Sequence, residues 1–199
     1  MIKLILLFIC GLTILNAQSI PKGFKVSESV NGKKMSIQFD FDKDGKKDIF
    51  SVVEGKPDEE LSIIAVLSSQ PNSKVLKHKS LNGDFACCAE IQLEKNVVKV
   101  TSSGNRFFEY IQFRYNSELK DFEIIGFDTE SFGSATHDGA GKLSLNLLNG
   151  KLIYKFDTYD EKKKKLIQGK EVNKTIQIPK KFTLSSLDEF AKFKNTLIP

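Results

Sequence analysis

Apolar and polar residues alternate with a period of two along much of this chain, which is the pattern of half-buried β-strands. In KMSIQFD, Met35, Ile37 and Phe39 fall on one side of a strand and polar residues on the other. The same alternation, or a short apolar run rich in β-forming residues, predicts further strands at 24–30, 49–53, 61–67, 89–93, 97–101, 106–115, 122–128, 143–147, 152–156 and 172–178.

Two of these segments carry additional information. Glu109 is a polar exception on the otherwise apolar side of the strand RFFEYIQFRY. Asn149-Gly150 separates two alternating runs and predicts a tight hairpin turn with positive φ at both residues.

The end of the chain follows a different pattern. In TLSSLDEFAKFKNTL, Ser185 or Ser186 can cap a helix, and Leu187, Phe190 and Phe193 then share one side of it. Many strands and one helix predict an all-β fold, mainly antiparallel, sandwich-like or an open barrel, with a short C-terminal helix.

The N-terminus MIKLILLFICGLTILNAQS combines an early lysine, an apolar stretch and a small residue at position 17. This pattern is typical of a secretory signal peptide. We expect a signal peptide at 1–17, cleaved after Ala17 or alternatively after Ser19, and a single β-rich domain at 18–199. The mature chain would then be secreted or periplasmic, with no membrane span after signal removal.

The charge and amino-acid composition of the chain limit the classes of binding partner that we expect. The 199 residues carry a formal net charge of +5, and Arg106 and Arg114 are the only arginines among 30 basic residues. Lysines without interleaved arginine and aromatic residues give little indication of nucleic-acid binding, so we expect no nucleic-acid partner. Cys87 and Cys88 are adjacent. They could form a vicinal disulfide, pair between molecules or remain reduced and packed.

The stretch FDFDKDGKKDIF holds the strongest candidate chemistry, because it crowds four aspartates around one glycine. Calcium takes six to eight oxygen ligands, many of them from carboxylates. The expected ligands are the side chains of Asp40, Asp42, Asp44 and Asp48 with the carbonyl of Lys46, while Gly45 permits the sharp turn. An EF-hand is disfavoured because Ser51 stands where that loop needs a bidentate glutamate. Alternatively, the neighbouring lysines could neutralise the aspartates in a solvated turn.

The same stretch resembles the calcium loop of the FG-GAP and VCBS repeats, in which Asp-x-Asp-x-Asp-Gly-x-x-Asp joins two strands. The resemblance covers about a dozen residues and implies one calcium ion held by the same five residues. Those families repeat the loop to build propeller blades, whereas this chain has one copy. The whole chain also resembles uncharacterised exported bacterial proteins of this size.

Catalytic patterns are weak. Ser134, His137 and Asp138 lie close together in FGSATHDGAG, but no nucleophile-elbow pattern surrounds the serine. The acids of 121–130 are expected to face solvent. The sequence therefore favours a non-enzymatic exported protein with a structural calcium ion and a binding or cell-envelope role, whose partner would be an unknown protein or envelope ligand. The alternative is an exported hydrolase with its site around His137.

Overall fold

The structure is a computed structural model that describes residues 20–54, 61–70, 75–79 and 89–197. These residues form fourteen strands and one α-helix. In chain order the strands are β1 Lys25–Val26, β2 Ser36–Phe39, β3 Asp48–Glu54, β4 Ser62–Val66, β5 Val75–Lys79, β6 Ala89–Glu94, β7 Val97–Gly104, β8 Phe107–Asn116, β9 Asp121–Phe132, β10 Ala140–Asn146, β11 Lys151–Phe156, β12 Thr158–Asp160, β13 Lys165–Ile167 and β14 Val172–Thr175, and the helix is α1 Leu187–Lys194.

Two antiparallel sheets contain nearly all of these strands. The first sheet has five strands in the order β1-β3-β4-β5, with β2 also paired to β3. The second has seven strands in the order β14-β11-β10-β9-β8-β7-β6, while β12 and β13 form a separate hairpin. Over the described ranges neither sheet closes on itself, and the predicted all-β, mainly antiparallel fold is confirmed.

The core lies between the two sheets. On the second sheet, cross-strand pairing aligns a transverse row of buried side chains, Val100, Ile111, Phe127, Leu145 and Leu152. The first sheet contributes apolar side chains to the same cluster. Phe50 of β3, for example, packs its ring against Phe113 and Phe122, with ring centroids 5.6 and 5.0 Å apart. One hydrophobic cluster therefore joins both sheets.

The first sheet is buried on its other face as well. Ile49, Val53, Ile64 and Val66 form a second cluster, against which Ile20 and Phe24 pack. Burial on both faces explains why β3 and β4 read as nearly continuous apolar runs in the sequence.

The predicted C-terminal helix is confirmed. Leu187 and Phe190 of α1 are buried, and Phe190 packs against Phe127 of β9. The helix also accounts for the polar exception in β8, because the Lys194 ammonium lies 2.6 and 2.7 Å from the two carboxylate oxygens of Glu109. An inward-facing acid is accommodated here because a cation from a distant element meets it.

Some predicted details were wrong. The strand expected at 24–30 is only two residues long, and the short strands β5, β12 and β13 were not predicted. The hairpin at Asn149-Gly150 is correct, but its turn spans residues 147–150 and only Gly150 has positive φ. Beyond the end of β10, Leu147 still bonds to β9, since its N–H donates to the Ile125 carbonyl at 3.0 Å.

Candidate metal site

The acidic loop connects β2 to β3, and its two ends are paired with each other. Phe39 and Asp48 are cross-strand partners at the base of the loop. Phe41 is the apolar residue inside the loop, and only 7% of it is exposed. Its ring packs edge-on against Phe39 and Phe122 at 5.2 and 5.0 Å. Burial of Phe41 therefore fixes the first half of the loop to the core.

Asp48 is the most constrained of the four aspartates, because it is fully buried. One carboxylate oxygen accepts the Phe41 N–H at 2.9 Å and the other accepts the Ser68 N–H at 2.8 Å. Burial raises the pKa of Asp48; the two N–H donors oppose this effect and the nearby charge of Asp42 adds to it. The carboxylate is therefore held in one orientation at the base of the loop.

Asp40 and Asp42 converge on Asp48. Each of the three offers one carboxylate oxygen, and these oxygens all lie within 4.8 Å of one another. Asp40 Oδ2 accepts the Gly45 N–H at 3.0 Å, whereas Asp40 Oδ1 is buried without a hydrogen-bond partner in the described part of the chain. A buried oxygen without a donor is costly, so this atom indicates where a cation would be most favourable.

Asp44 lies outside this convergent group. It is exposed, and its oxygens accept the Ser68 hydroxyl at 2.7 Å and the Lys46 N–H at 2.8 Å. Both hydrogen bonds lower the pKa of Asp44, and the one from Ser68 has the larger effect. Lys46 is exposed and follows Gly45, whose φ of 85° lies in the left-handed region that favours glycine.

Two serines after β4 belong to the site and were missed by sequence reasoning. Ser68 donates to both Asp48 and Asp44, and the Ser69 hydroxyl donates to Asp42 Oδ2. In the sequence they are a polar pair after an apolar strand, which is typical of any loop. Only the pairing of β3 with β4 brings them to the aspartates.

The loop lysines do not neutralise the aspartates by direct pairing. Lys43, Lys46 and Lys47 are exposed, and within the described residues none of them forms an ion pair with an aspartate at 4.0 Å or less. The negative charge of the loop also affects Tyr115. Burial raises the pKa of Tyr115 most, and the charges of Asp42, Asp48 and Asp121 raise it further. The charge of Lys46 does contribute to lowering the pKa of Asp44, so the alternative of a lysine-neutralised turn has one electrostatic interaction behind it but no ion pair within the described residues.

The second candidate region, around His137, has a different organisation. The Ser134 hydroxyl accepts the N–H groups of Thr136 and Asp138, both at 3.2 Å. Asp138 Oδ1 accepts the Tyr159 N–H at 2.7 Å. These contacts give both side chains a role in holding the loop. His137 is exposed, has a φ of 63° and lines a groove on the second sheet. The hydrolase alternative stays a prediction.

Two acids of β9 were expected to face solvent, and this was wrong. Asp121 and Glu123 are each only 6% exposed. Asp121 accepts the N–H groups of Phe122 and Ser185, and Glu123 accepts from the Asn116 side chain at 2.8 Å. The C-terminal segment covers this end of β9, a contact that alternation along one strand does not indicate.

Several remaining predictions fall outside the described residues. These are the signal peptide with both of its cleavage positions, and the adjacent pair Cys87 and Cys88. Over the ranges that the structure describes, no helix has the length and apolarity needed to cross a membrane.

Comparison with protein-family models, curated proteins and solved structures finds no match to this chain. The likeness to the FG-GAP and VCBS loop therefore rests on the aspartate pattern alone. What the loop does has to be argued from its own geometry.

Proposed function

We propose that this is an exported β-rich protein in which the loop between β2 and β3 binds one structural calcium ion. The observation that carries the proposal is the convergence of Asp40, Asp42 and Asp48, whose ligand oxygens lie within 4.8 Å of one another. The buried, unpartnered Asp40 Oδ1 adds to it. The ion would be held by these three carboxylates, while Asp44 and the Lys46 carbonyl complete the predicted ligand set.

The electrostatics of the loop favour a cation. Three carboxylates this close repel one another, and burial of Asp48 weakens the screening by water. The loop lysines are exposed, and in the described part of the chain none of them forms an ion pair with these three carboxylates. A divalent ion removes both the repulsion and the cost of the unpartnered Asp40 oxygen.

The donor set favours calcium over other ions. All side-chain donors in the convergent group are carboxylate oxygens, which hard cations prefer, and no histidine or cysteine is among them. Calcium accepts irregular geometry with six to eight oxygens, whereas Mg²⁺ requires a near-ideal octahedron. An irregular loop with one left-handed glycine is better suited to the more tolerant ion. The Asp-x-Asp-x-Asp-Gly-x-x-Asp pattern supports the same choice.

The role of the ion would be structural. Asp48 begins β3, and the serines that follow β4 donate to three of the aspartates. An ion at this point ties the β2–β3 turn to the end of β4. Its effect would therefore be on stability. The biological role would be binding of a protein or envelope ligand by the secreted or periplasmic chain.

Terbium luminescence tests the proposal at the site itself. Tb³⁺ substitutes for calcium and emits when a nearby tyrosine is excited, and Tyr115 lies close enough to the loop for Asp42 and Asp48 to affect its pKa. We expect Tyr-sensitised emission that calcium displaces. Tyr115→Phe should lose most of the emission while isothermal titration calorimetry still detects calcium binding.

Asp42→Asn should weaken both signals. The matched control is Asp160→Asn, which alters an aspartate whose Oδ1 caps another turn at 3.0 Å from the Lys162 and Lys163 N–H groups. A wild-type protein that takes up neither ion at millimolar concentration would end the calcium proposal. Equal loss of binding in the two Asn variants would place the ion elsewhere.

A further inference from the structure

The outer face of the second sheet carries a groove of about 610 Å³, which is within the range of small-molecule sites. Its floor is the sheet itself. Cross-strand pairing aligns Tyr110, Asp128, Ser144 and Ile153 in one transverse row over β8 to β11. This row alternates with the buried row that contains Phe127 and therefore points away from the core.

The groove also extends along the strands. Two residues beyond the first row lies a second, in which Glu130 pairs with Lys142 at 3.0 Å and Lys155 lies opposite Lys142. Two residues further lie Phe132 and the neighbouring Asp157 and His137. Four residues of antiparallel strand separate the first row from the third, a length of about 14 Å.

The polar groups in the groove include both donors and acceptors. Within the described residues the Asp128 side chain makes no hydrogen bond or ion pair, so its carboxylate oxygens are available as acceptors. Lys155 offers a donor, and the hydroxyls of Tyr110 and Ser144 can do either. The apolar surface comes from Ile153 and from Phe132, which is 42% exposed.

The groove is lined by charges of both signs. Glu130 and Lys142 neutralise each other as an ion pair, which leaves the carboxylates of Asp128, Asp157 and Glu171 together with the ammonium of Lys155. A neutral molecule with many hydroxyl groups can use acceptors and donors of both kinds without bringing a charge that one part of the groove would repel. Its hydroxyls can donate to the carboxylates and accept from the lysines, and its C–H faces can cover Phe132 and Ile153.

We infer that this groove binds a neutral oligosaccharide of about two to three sugar units along its 14 Å floor. Asp128 and Ser144 contact its hydroxyls at one end, and Phe132 packs against a sugar ring at the other. The groove shares no lining residue with the acidic loop, so the inference is independent of calcium.

Calorimetry with a defined panel tests the inference. The probes are maltotriose, cellotriose, xylotriose, mannotriose and the trimer of N-acetylglucosamine, with putrescine and citrate as charged comparisons. We expect at least one trisaccharide to bind, equally in calcium and in chelator. Asp128→Ala should weaken that binding by about tenfold or more, because a hydrogen bond to a charged group is lost.

Ser144→Phe should abolish binding by filling the floor, since Ser144 is exposed and its replacement leaves the core untouched. Glu94→Ala and Glu94→Phe are the matched controls, because Glu94 is exposed in β6, outside the groove. Both should bind like the wild type, and thermal melting should find all four variants folded. Failure of all five sugars, undiminished binding by Ser144→Phe, or binding of putrescine or citrate alone would overturn the inference.

Discussion

Thermal unfolding in calcium and in chelator gives the most direct measure of what the acidic loop contributes to stability. An ion that binds the folded chain and not the unfolded chain stabilises it by RT ln(1 + [Ca]/Kd). Three convergent carboxylates, one of them fully buried, would provide a site that the unfolded chain lacks. The free energy of unfolding should therefore rise with calcium concentration.

The size of the effect follows from the type of site. Calcium sites of extracellular modules have Kd values of about 10⁻⁴ to 10⁻³ M. At about 10 mM calcium the stabilisation is then about 1.4 to 2.7 kcal/mol. A chain of this size gains about 2 to 4 °C in Tm per kcal/mol, so we expect an increase of about 3 to 11 °C over the chelator sample. Magnesium at the same concentration should give a smaller shift.

Asp42→Asn separates the effect of the ion from that of the loop. The amide oxygen can still accept the Asp44 N–H that Asp42 Oδ1 accepts at 3.2 Å, and the amide nitrogen can donate to the Ser69 hydroxyl in place of the present bond, so the turn is preserved. Removing one of three mutually repelling charges should leave the chelator melting temperature unchanged or higher. In calcium the same variant should lose half or more of the wild-type shift, because a ligand has been weakened.

Differential scanning calorimetry or circular dichroism in both buffers measures these four melting temperatures. Asp160→Asn serves as the control and should keep the full wild-type shift. Coincident wild-type curves in calcium and chelator would refute the reasoning. So would an Asp42→Asn variant that is destabilised equally in both buffers, because its carboxylate would then act only through hydrogen bonds within the loop.

Three further predictions concern other contacts. Calcium should lower the pKa of Tyr115 by neutralising the charges of Asp42 and Asp48, and ultraviolet titration of tyrosinate in the wild type and in Tyr115→Phe checks this. Because folding raises the pKa of Tyr115, the chelator sample should also lose stability as the pH rises from about 10 through the folded-state pKa. Lys194→Met should lower the free energy of unfolding by about 3 kcal/mol, since it leaves the inward-facing Glu109 unpaired. Denaturant unfolding measures this loss, and the double variant Lys194→Met/Glu109→Gln should recover part of it. Gly150→Ala should destabilise by more than Gly32→Ala in the same assay: both glycines have φ near 72°, but only at Gly150 would a Cβ meet a backbone oxygen, 2.1 Å from Ile176 O.

Elements that depend on local pattern could be predicted from the sequence. Alternation located β2, β8, β10 and β11, and the spacing of Leu187 and Phe190 located the helix. The failures concern residues whose surroundings are set by distant segments. Asp121 and Glu123 have the spacing of exposed strand residues, yet the C-terminal segment buries them. Strand alternation identifies two faces, but it does not indicate which parts of a face another segment will cover.

The acidic loop illustrates the same division within one site. The aspartates are adjacent in sequence, so their clustering could be predicted. Their partners Ser68 and Ser69 come from 20 to 27 residues away, and Tyr115 from another sheet. The structure also divides the four aspartates into a convergent three and an exposed Asp44, a difference that an alternating sequence pattern does not contain.

Phe41 explains why this loop gathers negative charge instead of dispersing it. Burying a phenylalanine side chain is worth about 1.5 to 3 kcal/mol, and Phe41 is nearly fully buried between two acidic neighbours. Its anchoring confines Asp40 and Asp42 to the space beside Asp48, where free aspartates would separate. The apolar gain therefore holds together a repulsive cluster, which is a local conflict of the kind that folded chains retain mainly at functional positions. A bound cation would resolve that conflict without displacing Phe41 from the core.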